Sequence, residues 1–106
     1  MNLLNQLTGP DLEQGLREYE AAPGALLLDV RSPEEYRQGH IPGSRNMPLQ
    51  SIAAGEGLPE DPEVPIFVYC HSGARSRRAA AFLQKIGYSR VKNIGGLAGY
   101  AGKLEK

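Results

Sequence analysis

Thiols are nearly absent from this chain. Its 106 residues include one cysteine, Cys70, so a disulfide scaffold is excluded. Histidine is almost as scarce, with only His40 and His71. One cysteine and two histidines argue against a structural zinc site. Net charge is missing as well: Lys plus Arg number 12, and Asp plus Glu number 12. That balance excludes a strongly basic chain held on nucleic acid by bulk electrostatics, while leaving room for a local cationic pocket. Long apolar runs are also lacking. The first apolar stretch, Leu3-Leu4, is too short for a signal peptide or a membrane span, so a reducing cytoplasmic compartment is expected. There is no internal repeat and no low-complexity tract.

What is present reads as one globular domain over residues 1–106. The hydrophobic share of 41% is that of a folded chain. Thirteen glycines and eight prolines punctuate short periodic segments, as in a compact fold of many small elements. The spacing of Leu12, Leu16 and Tyr19 predicts a first helix over Pro10 to Tyr19, with Pro10 in its first position and Gly15 as a close-packing gap. Ala25 to Val30 is a continuous apolar run suited to a strand buried on both faces. Ser32-Pro33-Glu34-Glu35 is a helix start with a capping box, and that helix stops near Gly39. Asn46 to Leu49 reads as a short strand running into a helical turn, and residues 55–65 as a surface loop. Ile66 to Tyr69 is the clearest strand. Arg75 to Ile86 is the best helix, with Ala79, Phe82, Leu83 and Ile86 on one apolar face and Gly87 as its stop. Val91 to Ile94 is a last strand, and Gly95-Gly96 opens a turn. Strands alternating with helices imply parallel βαβ units, with ligands beyond the carboxyl ends of the strands. Cys70 lies at that edge.

The segment Cys70-His71-Ser72-Gly73-Ala74-Arg75-Ser76 joins a buried strand to a helix N-terminus. The first N–H groups of a helix have no internal partners and collect anions. Small residues at 72–74 let the backbone curl, so that successive N–H groups converge on one point. A thiolate there gains from the amides, the helix dipole and Arg75. An unperturbed cysteine is only about 3% thiolate at pH 7, and a two-unit lowering needs about 2.7 kcal/mol. Several amides and one arginine can supply that much. Alone, a cysteine at the end of a buried strand is as readily a small core residue as a nucleophile. The glycine, the arginine and the helix start shift the reading toward a nucleophile. The His71 side chain could add positive charge or assist a leaving group, but reads better as a solvent-facing loop residue whose N–H matters more than its ring. Arg75 is the better anion ligand. Arg77 and Arg78 read as solvated helix surface.

Together these segments resemble the small, single-domain rhodanese-like sulfurtransferases. The resemblance spans nearly the whole chain. It runs through Leu28-Asp29-Val30-Arg31, Glu35-Tyr36 and Gly39-His40-Ile41-Pro42-Gly43-Ser44, then the Cys70 to Ser76 loop, then Gly95-Gly96-Leu97. It implies a three-layer α/β/α fold with a five-stranded parallel sheet flanked by helices. It implies Cys70 as the nucleophile, forming a persulfide with a small anionic sulfur donor such as thiosulfate. It implies a cyanide or thiol acceptor, such as thioredoxin or glutathione. His71, Ser72, Gly73, Ala74, Arg75 and Ser76 are then the substrate-binding loop. No cofactor, nucleic acid or membrane enters. Asp29 and Arg31 become structural ties, and His40 a satisfied turn histidine. The Cys-x5-Arg loop of related phosphatases would need arginine where Ser76 stands, so phosphatase or arsenate reductase chemistry is disfavoured. The loop also departs from that of the mercaptopyruvate enzymes. The chain has no tryptophan, where relatives often carry one after the glycine pair; Tyr100 stands near that place, and a short last helix is expected. Two functions from different classes stay open: a sulfurtransferase, and a non-catalytic rhodanese-like binding or regulatory module.

Overall fold

The computed structural model describes residues 10–106. Leu3-Leu4 lies outside them. Among the described residues, four helices and four strands alternate: α1 (Leu12–Glu20), β1 (Leu26–Asp29), α2 (Pro33–Gln38), β2 (Arg45–Asn46), α3 (Leu49–Ala53), β3 (Ile66–Cys70), α4 (Ala74–Lys85) and β4 (Val91–Gly96). The strands form one parallel sheet in the order β2-β1-β3-β4. Among the described residues the sheet thus has four strands rather than five. No further described segment pairs along either edge strand. The C-terminal residues add a single antiparallel bridge, between His40 and Glu105, and no helix forms after β4.

Alternation along β3 explains the layers. Side chains of a strand point to opposite faces in turn. Ile66, Val68 and Cys70 enter one core with Ile52 of α3 and Ala79, Ala80 and Leu83 of α4. Phe67 and Tyr69 enter the other, with Leu12 of α1, Leu27, Ile41 and Ile94. Tyr100 packs against this second core. All five residues of β3 are buried, as expected of a central parallel strand. Gly15 lets α1 sit directly on the sheet: a Cβ there would lie 2.4 Å from the Cβ of Ile94. Among the described residues no helix is long and apolar enough to cross a membrane.

Several boundaries differ from the sequence reading for local reasons. Pro10 precedes α1 instead of opening it, because Asp11 is the cap and accepts from the N–H groups of Glu13 and Gln14. The capping box of α2 forms as read, through Ser32 and Glu35. The short strand ends at Asn46, and Pro48 is the cap of α3. Ile86 lies at the C-cap of α4 and is 46% exposed, so the apolar face ends at Leu83. The stop at Gly87 is a Schellman closure: the Tyr88 N–H donates to Leu83 and the Gly87 N–H to Gln84. Gly95 and Gly96 belong to β4, not to a turn. A bulge at Ile94 shifts the ladder, so that Val68 pairs with Asn93 but Tyr69 with Gly95 and Cys70 with Gly96.

Candidate active site

Cys70 ends β3 at the carboxyl edge of the sheet, and its side chain is fully buried. Two N–H donors and one hydroxyl surround its sulfur. The Gly73 N–H is 3.0 Å from Sγ and the Ser76 N–H is 3.4 Å away. The Ser76 hydroxyl oxygen stands at 3.5 Å. Burial pushes the thiol pKa up, as removal from water does for any anion. The Ser76 hydroxyl and the N–H groups of Ser76, Gly73 and Ser72 push it down and prevail, so it lies below the ordinary thiol value.

Two glycines make this geometry. Gly73 is the cap of α4 at φ +97°, a left-handed conformation that side chains resist, and it turns its N–H onto Sγ. Gly96 pairs with Cys70 across the sheet, and a Cβ on it would lie 2.1 Å from the carbonyl oxygen of His71. The chain after Gly96 supports the loop from behind: Leu97 N–H donates to the Cys70 carbonyl, and Ala98 N–H to that of His71. His71 and Ser72 are exposed at the rim, and Ala74 is exposed at the start of α4. His71, Ser72 and Gly73 line a cavity of about 260 Å³ with Pro10, Gly95 and Gly96.

Arg75, which the sequence offers as an anion ligand, is paired with a carboxylate of this chain. Both of its terminal nitrogens meet Glu35, at 2.7 and 3.0 Å, which ties the loop to the first turn of α2. Arg75 draws the Glu35 carboxyl down to about 2, against a smaller opposing effect of burial. Ser76 is buried beneath Cys70 and faces Asn93 of β4, 2.7 Å away. The sequence reading missed Asn93. Its signal was an asparagine inside a strand, where that residue is depleted.

The neighbouring loop is closed by charge. Arg31 donates from Nε and Nη2 to Asp29 and from Nη2 to the Gly39 carbonyl, all buried. Asn46 Nδ2 donates to the carbonyls of Asp29 and Arg31. Tyr69 accepts from the Ile41 N–H and donates to the Ser44 hydroxyl, and burial pushes its phenol up. His40 stacks on Tyr36 with centroids 3.6 Å apart, and its Nδ1 contacts the Tyr36 carbonyl. These residues hold the strand ends in place around the Cys70 loop. Among the described residues, no three or more Cys, His, Asp or Glu side chains cluster as metal ligands do.

Fold and site together define a class: a three-layer α/β domain with a thiol cradled by the N–H groups of a helix start. Comparison with known proteins gives the family. A rhodanese-like domain model matches residues 10–103. A protein named sulfurtransferase from Allochromatium vinosum is 39% identical over 101 residues, covering 93% of this chain and 90% of its own length. A protein named thiosulfate sulfurtransferase GlpE, from Pseudomonas syringae, is 39% identical over 88 residues, covering 82% of this chain and 77% of its own. A solved structure described as a rhodanese with anions from E. coli superposes with a TM-score of 0.65 at 35% identity, over 77% of this chain and 98% of that one. The chain belongs to the rhodanese-like domain family.

Proposed function

We propose that this protein is a sulfurtransferase that carries a sulfane sulfur on Cys70, with thiosulfate or a persulfide as donor. The convergence of two N–H groups and one hydroxyl on Sγ is the observation that carries this reading. Relatives with sulfurtransferase names support it.

In the first half-reaction the thiolate attacks the outer sulfur of thiosulfate. A new S–S bond forms at Sγ, the old S–S bond breaks, and sulfite leaves with its electron pair. In the second, cyanide or a thiolate, such as that of glutathione or thioredoxin, attacks the terminal sulfur and returns the Cys70 thiolate. The charge is conserved in both steps, and no redox partner is needed. The loop N–H groups stabilise the negative charge on sulfur throughout. Ser72, Gly73 and Ser76 offer those donors. His71 and Ala74 shape the rim, and Arg75 supplies positive charge at its edge while holding the loop to Glu35.

Steady-state formation of thiocyanate from thiosulfate and cyanide tests the reading. Parallel double-reciprocal lines are expected, as for any enzyme that alternates between two covalent forms. Cys70→Ser should abolish the activity. Intersecting lines, or activity that survives Cys70→Ser, would overturn the covalent mechanism. Absence of turnover with both thiosulfate and glutathione persulfide would favour a non-catalytic module.

A further inference from the structure

The Ser76 side chain has more acceptors around it than it can serve. Its hydroxyl oxygen lies 2.7 Å from Asn93 Oδ1, 3.1 Å from the Gly73 carbonyl, 3.3 Å from the Gly95 carbonyl and 3.5 Å from Cys70 Sγ. A serine carries one hydroxyl proton. The orientation of the Asn93 amide is fixed independently, because its Oδ1 accepts the Gly95 N–H at 3.0 Å. Asn93 Oδ1 is therefore the nearest acceptor to the Ser76 hydroxyl, across a part-buried hydrogen bond.

We propose that Asn93 is a positioning residue that acts on Cys70 through Ser76, by competing with Sγ for the one hydroxyl proton that Ser76 carries. With Cys70 as a thiol, S–H donates to the Ser76 oxygen and Ser76 donates to Asn93. When Cys70 ionises, its proton leaves to solvent and the Ser76 hydroxyl turns to Sγ. The Ser76–Asn93 hydrogen bond is lost in that step, while Asn93 keeps the Gly95 N–H. Asn93 therefore opposes ionisation, and Ser76 favours it. On the proposed sulfurtransferase reading, the same proton returns to Asn93 once the persulfide forms and the charge moves to the outer sulfur.

Other charges around Cys70 stay constant in the comparison. Arg75 comes from α4, where Arg77 and Arg78 are exposed. The Asp29–Arg31 pair closes the end of β1. His71 is next in the chain. On β4 the residues opposite are glycines, and its one charged side chain, Lys92, pairs with Glu18.

The test is a titration of Cys70 by thiolate absorbance in wild type, Asn93→Ser, Ser76→Ala and the double variant, each taken as a difference from its Cys70→Ser counterpart. Serine at 93 can still cap the Gly95 N–H, as serine does in such turns, but is one bond too short to reach Ser76. Asn93→Ser should move the Cys70 midpoint down by about half to one pH unit, the effect of one neutral hydrogen bond. Ser76→Ala should move it up. In the Ser76→Ala background, Asn93→Ser should change nothing. An unchanged or raised midpoint in Asn93→Ser overturns the proposal, as does an equal shift with and without the Ser76 hydroxyl. Thermal melts identify a variant that fails to fold, and Asn93→Ala then replaces Asn93→Ser with the same expected sign. No sulfur donor is involved, so this test can fail while sulfur transfer stands, and the reverse.

Discussion

Two loops leave the same edge of the sheet by the same route, strand to loop to helix, and treat their helix N-termini in opposite ways. After β1, the start of α2 is closed by its own side chains. Ser32 accepts the Glu35 N–H, and Glu35 accepts the Ser32 N–H. After β3, the start of α4 has glycine at the cap and no side-chain cap hydrogen bond. Its N–H groups go to the Cys70 sulfur instead. The first four N–H groups of any helix need partners from outside the helix. A serine in the cap position satisfies one of them internally; a glycine leaves them for a thiolate or an anion. The Glu35–Arg75 pair ties the closed loop to the open one.

The largest expected effect comes from breaking the closed loop. Arg31→Met leaves Asp29 buried without its cation, which costs about 3–5 kcal/mol. Chemical denaturation should show that loss. Gly96→Ala attacks the open loop from behind, because the new methyl meets the His71 carbonyl. Overpacking of this kind costs about 1–3 kcal/mol. It should also raise the Cys70 titration midpoint as the donors are displaced, which a thiolate titration reads directly.

Ser32→Ala sharpens the contrast. It removes the cap of α2 and should cost about 1 kcal/mol, with no change in the Cys70 midpoint. The smallest effect belongs to Glu35→Gln. Glu35 and Arg75 are each about one-third exposed, so their pair contributes at most about 1 kcal/mol. The sign follows from the carboxyl, which falls from 4.5 to about 2 on folding. A carboxyl lowered in this way stabilises the fold above its unfolded value and ceases to do so as pH falls through about 2. Wild type should therefore exceed Glu35→Gln in stability near neutral pH. The difference should fade between about pH 4.5 and 2 in acid-dependent melts.

Legibility in the sequence followed the range of the forces involved. The capping box at Ser32, the buried strand at Ile66 and the stop at Gly87 rest on contacts within a few residues, and each was readable. The boundary of β4 was not, because Gly95 and Gly96 pair with Tyr69 and Cys70 only after the bulge at Ile94. Glycine pairs usually mark turns, and here the close approach of Gly96 to the His71 carbonyl requires glycine inside a strand. The partner of Arg75 was unreadable for the same reason. Glu35 is 40 residues away, and nothing local distinguishes an arginine that meets a carboxylate from one that faces an anion. Asn93 reaches Ser76 across 17 residues through the same packing.

The proposed sulfurtransferase activity requires that the open helix start at Cys70 hold a transferable sulfur. Intact-protein mass spectrometry after mixing with thiosulfate tests it most directly, beside Cys70→Ser. Wild type is expected to gain one sulfur atom and the variant none, with return to the starting mass and thiocyanate release on adding cyanide. An unchanged wild-type mass with thiosulfate and with glutathione persulfide, or an equal gain in Cys70→Ser, would contradict it.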